Sequence, residues 1–115
     1  MMLKERELQQ VHELNVELIP QAIIGMRIDD IVNGKASLVQ RRDDLDDFRG
    51  ASFTCGKLKF AVRHYAGHPS DTATIYIDRK YRDVTEITSI VEQILNTLKI
   101  PRKALKWQRA DDPDL

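Results

Sequence analysis

Cysteine is almost missing from this chain: the single one, Cys55, can form no internal disulfide and supplies no zinc-binding cluster. A disulfide-stapled secreted scaffold and a zinc finger are thereby excluded. Long apolar runs are missing too. The longest stretch without a polar side chain is residues 22–26, far short of the ~20 residues that a membrane-spanning helix requires. An excess of either charge is also lacking, because 18 Lys and Arg balance 18 Asp and Glu, which removes the simplest argument for a nucleic-acid or anionic-membrane protein. With 5 Gly and only 4 Pro, at positions 20, 69, 101 and 113, the chain has no linker, repeat or low-complexity tract. Lys4, Glu5, Arg6 and Glu7 stand where a signal peptide would be apolar, so the N-terminus is expected to be retained and the protein to be cytoplasmic.

What remains is the composition of a folded domain. Of the 115 residues, 42% are hydrophobic and 31% charged, enough for one core beneath a well-solvated surface. A single domain over residues 1–115 is expected, with 110–115 as a flexible acidic tail.

Hydrophobic periodicity divides the chain into elements. Leu3, Leu8, Val11, Leu14, Leu18 and Ile19 fall on one helical stripe, which predicts a first helix over residues 3–19 ended by Pro20. Ile24, Met26 and Ile28 alternate like a strand, and Asn33-Gly34 predicts a two-residue hairpin turn. Pairing outward from that turn needs one extra residue near Asp29-Asp30, a β-bulge, to keep Ile28 and Leu38 on one face. The charged stretch 41–49, anchored by Leu45 and Phe48, reads as a loop or one helical turn. Residues 57–65 alternate cleanly, with Leu58, Phe60 and Val62 on one face, and Ala73, Ile75 and Ile77 repeat the pattern after the loop 67–72. Asp83-Val84-Thr85-Glu86 is a capping box opening a second helix striped by Val84, Ile87, Ile90, Val91, Ile94, Leu95 and Leu98. Pro101 ends it, and Leu105 and Trp107 begin a last edge strand. The expected fold is therefore α+β: a two-layer antiparallel sheet of four to five strands with two amphipathic helices on one face, in the order α-β-β-β-β-α(-β).

Each candidate site meets a plainer alternative. His64 and His68, four apart with Asp71 nearby, have helical metal-ligand spacing but fall at a strand end and a loop, where that spacing has no special geometry. His68, Ser70 and Asp71 include the three triad residue types, yet contiguous loop residues do not place an imidazole between hydroxyl and carboxylate. Asp43, Asp44, Asp46 and Asp47 fail the calcium-loop template and are offset by Arg41, Arg42 and Arg49. Nothing puts Asp29 and Asp30 in a shared cleft for acid/base work. Cys55 has no activating base in sequence and is expected to be buried. No cofactor motif is present.

Neutrality hides polarity, because residues 1–55 carry 7 basic and 10 acidic residues and residues 56–109 carry 11 and 5. Lys99, Arg102, Lys103, Lys106 and Arg109 surround Trp107, a set that could pair phosphate attraction with stacking.

The leading expectation is a small non-enzymatic binding or interaction protein acting through its sheet face or edge, with another protein or a second copy as partner, as a homodimer. Arg63, Tyr65, Tyr76 and Trp107 are the expected partner-binding residues, since aromatic and Arg side chains supply anchors. The alternatives are a nucleic-acid-binding module using the basic half, and a small enzyme or metal-binding protein centred on His64, His68 and Asp71.

Overall fold

The computed structural model describes residues 7–44 and 46–111. Among them are seven strands: β1 (Leu8–Val11), β2 (Leu18–Ile24), β3 (Val39–Arg42), β4 (Asp47–Cys55), β5 (Leu58–Tyr65), β6 (Ala73–Asp78) and β7 (Leu105–Gln108). Two α-helices accompany them, the five-residue α1 (Ile28–Val32) and the fourteen-residue α2 (Val84–Thr97). All pairing is antiparallel, in the order β1-β4-β5-β6-β2-β7, with β3 beside β4 on the edge that β1 also uses.

This corrects the expected four to five strands under two amphipathic helices. Residues 3–6 of the stripe over 3–19 lie outside the described residues, and the rest is not a helix but β1, a crossing segment and the start of β2. The apolar run Leu18–Ile24, rich in isoleucine, favours a strand buried in the sheet. Pro20 is tolerated inside it because β7 pairs only with Ala22, Ile23 and Ile24, and because the register of β2 against β6 shifts between Pro20 and Ala22. The bulge expected near Asp29-Asp30 is absent, since both residues are helical; the described register shifts lie in β2 instead.

Asn33-Gly34 does not turn a hairpin. Both residues adopt positive φ, 34° and 80°, but they end α1, with the Asn33 N–H donating to the Asp29 carbonyl at 2.9 Å. Helix cap and hairpin turn require the same left-handed conformations, so the dipeptide alone cannot choose between them. The charged stretch assigned to a loop forms β3 and the start of β4. Arg42 pairs with Asp47 across the edge at 3.6 Å, while Arg41 reaches His12 and Arg49 reaches Asp29. Leu45 and residues 112–115 of the acidic tail lie outside the described residues.

The second half follows its pattern. Gly56 (φ 61°) turns β4 into β5 as a type II′ turn requires. Asp83 accepts the Glu86 N–H at 3.0 Å to open α2. At the other end Ile100 N–H reaches the Leu95 carbonyl at 2.8 Å, closing the helix over Lys99 at φ 58°.

The core lies between the sheet and the helices. Ala51, Phe53, Leu58, Phe60, Val62, Ile75 and Ile77 face Ile31 of α1 and Ile87, Ile90, Val91, Ile94 and Leu95 of α2. Phe53 and Phe60 stack with centroids 5.1 Å apart. No helix among the described residues is long and apolar enough to cross a membrane.

Candidate functional site

The other sheet face carries the side chains that alternate with the core. Cross-strand register sets Phe48 beside Tyr65, Gly50 beside Arg63 and Ala61 beside Tyr76. This face is partly roofed. β1 ends at Val11, beside Ser52, whereas β2 starts at Leu18, beside Asp78, so residues 12–17 must pass β4, β5 and β6. Leu14 and Val16 of this strap line one groove with Gly50, Ser52 and Arg63. The strap is tied at both ends: Arg41 donates to the His12 carbonyl at 2.7 Å, and Arg79 donates to Glu17 through its backbone at 2.9 Å and its side chain at 2.7 Å. The Gln10 amide anchors the preceding strand to both backbone groups of Ser37, at 2.6 and 2.9 Å.

The groove under the strap has a volume of about 300 Å³, at the lower end of ligand-sized sites. At its inner wall Arg63 lies between two rings, with its guanidinium carbon 4.7 Å from the Phe48 centroid and 4.9 Å from that of Tyr76. Its Nη1 donates to the Tyr65 hydroxyl at 3.4 Å, and that hydroxyl donates to the Asp43 carboxylate in a short hydrogen bond. Burial, reinforced by the bond to Asp43, pushes the Tyr65 hydroxyl well above the usual phenol range, and burial raises Tyr76 too. Both rings stay neutral at physiological pH, and Arg63 is held in place before any ligand arrives. Arg41, Arg42 and Arg63 against Glu13 and Asp43 leave the groove lining basic.

Three of the four expected anchors, Arg63, Tyr65 and Tyr76, thus come together. Trp107 does not join them: it pairs with Ile23 in β2, which places it on the same face but two strands from Tyr76 and three from Arg63 and Tyr65, the latter roughly 14 Å at the usual strand spacing. Sequence reasoning weighs Asp43 as a cation ligand, Phe48 as a loop anchor and residues 12–17 as part of a helix, and so misses that the first two join Arg63 and Tyr65 and that the third is a strap. The alternation of Phe48, Gly50 and Ser52 was the available signal, masked by the charged residues around it.

The other candidates separate. The His64 Nε2 lies 3.2 and 3.1 Å from the carbonyls of His68 and Pro69, so the imidazole closes the β5–β6 loop, where His68, Ser70 and Asp71 are exposed. No group of three or more His, Cys, Asp or Glu converges as a metal site among the described residues. Cys55 is buried, 1% exposed. Asp29 is bridged by Arg49, at 3.3 and 3.2 Å, whose hydrogen bonds hold its carboxyl below the usual range. Of the basic set, Arg102 and Lys106 share a small crevice with Trp107, but Arg102 is bound to Glu92, Arg109 lines a different crevice, and Lys99 and Lys103 lie outside both.

Comparison with family models, curated proteins and solved structures gives no match, so the geometry alone carries the functional reading.

Proposed function

We propose that the protein is a small non-enzymatic protein-binding module whose strapped sheet face receives a carboxylate-bearing segment of its partner at Arg63. The observation that carries this reading is the Arg63 guanidinium held between Phe48 and Tyr76 and tethered to Tyr65. Little entropy is left to lose when such a preorganised fork meets a carboxylate. Val39, one of two large apolar side chains well exposed among the described residues, lies at the groove and adds contact area. The face is favoured over the edges, because β1, β3 and β7 are four residues each and carry Gln, Arg or Lys, features that discourage strand addition.

A second copy of the chain is the first partner to test. Sedimentation equilibrium is expected to show a dimer that Arg63→Ala weakens at least about tenfold, the usual effect of truncating an anchoring arginine. If the chain stays monomeric, acidic peptides selected from a displayed library are expected to lose binding to Arg63→Ala by the same factor. A monomeric chain whose selected peptides bind wild type and Arg63→Ala equally overturns the reading. A second reading, nucleic-acid binding, draws on Arg102, Lys106 and Trp107 sharing one crevice. It requires affinity for single strands that falls steeply with added salt.

A further inference from the structure

A second crevice opens on the opposite side of the sheet, between β2, the turn after β6 and the start of α2. It measures about 470 Å³. Ile19, Ile87 and Ala110 give it apolar walls, Arg79, Arg82 and Arg109 surround it, and Gln21 lies within it. Arg79 is committed to Glu17, but Arg82 and Arg109 make no ion pair or hydrogen bond among the described residues. Val84, at the rim, is the most exposed large apolar side chain described, at 57%.

Gln21 is the independent sign of a ligand. It is the extra residue of the β2 bulge, the device by which a strand redirects a side chain out of its normal alternation. The side chain is 2% exposed, yet its carbonyl oxygen has no hydrogen-bond partner. A buried acceptor left unmet destabilises the fold unless something supplies a donor. The crevice therefore offers two guanidinium groups that have no partner among the described residues, and apolar walls, with the unmet Gln21 acceptor buried in its lining.

We propose that this crevice binds a phosphate monoester with an apolar or aromatic body. The ester oxyanion engages Arg82 and Arg109, the body lies against Ile19, Ile87 and Ala110, and Gln21 bonds the phosphate. An ionised carboxylate satisfies only half of these requirements, because it accepts but cannot donate. A phosphate monoester has its second pKa near 6. Around that pH it carries both a P–OH, which donates to the Gln21 oxygen, and P–O⁻ oxygens, which accept from arginine.

The test is an NMR titration of the full chain with phenyl phosphate at a pH of about 6, following the Gln21 side-chain amide and the Ile19 and Ile87 methyl groups. Saturable shifts are expected, with affinity at least about tenfold weaker in Arg82→Gln/Arg109→Gln, which removes two charge-assisted bonds from side chains that hold no other partner among the described residues. Benzoate is expected to bind at least about tenfold more weakly than phenyl phosphate, for want of a donor. Gln21→Leu, a buried replacement of similar size, is expected to abolish that preference. Absence of saturation, equal binding by the double variant, equal binding of benzoate, or a preference that survives Gln21→Leu overturns the proposal. So does a short oligonucleotide that binds more tightly than phenyl phosphate through the same two arginines, which would make the crevice a nucleic-acid contact.

Discussion

Replacing Tyr65 with Phe tests whether the groove wall is the coupled unit described above. The substitution keeps the ring, and with it the packing on Phe48 at 5.1 Å, but deletes the hydroxyl that donates to Asp43 and receives Arg63. A hydrogen bond to a charged group contributes about 1.5–3 kcal/mol. Asp43 is half-buried, so water replaces part of that loss, and the expected cost is about 1–2 kcal/mol, or a Tm lower by roughly 5–10 °C. The pH dependence makes the test specific. Because the folded-state pKa of Tyr65 is raised, its contribution is complete below the unfolded pKa of about 10 and is lost as pH rises beyond it. Urea unfolding of wild type and Tyr65→Phe is therefore expected to show a stability gap that is full at neutral pH and closes in the alkaline range. Equal stability at neutral pH, or a gap that stays constant into the alkaline range, would refute the reasoning.

Two further outcomes follow from the packing. A Cβ at Gly50 would stand 2.8 Å from the Val62 carbonyl oxygen and 3.1 Å from Cγ of Arg63. Gly50→Ala is expected to destabilise by about 1–3 kcal/mol in thermal unfolding, as overpacking does, and a neutral effect would show that β4 and β5 can part there. Asp29 has a lowered pKa, chiefly through its hydrogen bond from Arg49, so its contribution is present above the unfolded pKa of about 4 and disappears as pH falls below it. Arg49→Gln is expected to flatten that acid limb in a pH series of urea midpoints, whereas an unchanged limb would remove the Arg49–Asp29 bridge from the account.

The second half of the chain was legible because each signal there has one meaning. Alternation over Leu58–Tyr65 between two turns fits only a strand half-buried on a sheet, and the Asp83 cap followed by Ile87, Ile90, Val91 and Ile94 fits only a helix. The first half carries ambiguous signals that tertiary pairing resolves. The positive-φ pair Asn33-Gly34 serves a helix end as readily as a hairpin. Pro20 reads as a terminator unless the missing β7 partner beside it is known. Arg41 and Arg42 look like loop residues until β4 lies alongside. The candidate site was half visible: alternation placed Arg63 and Tyr65 on one face, but Phe48 and Asp43 reach them only through long-range register, and a strap crossing three strands leaves no local trace in a sequence.

The crossing segment also dictates an order of events during synthesis. β4, β5 and β6 follow one another through short connections and can zip together as they emerge. The first two strands are made earlier, yet β1 must wait for β4 and β2 for β6. For that interval on the ribosome the apolar stretch Leu18–Ile24 has no partner, an aggregation hazard of the kind that chaperones shield. The nascent chain is thus most vulnerable before Asp78 has cleared the exit tunnel, and the strap can settle over the sheet only afterwards.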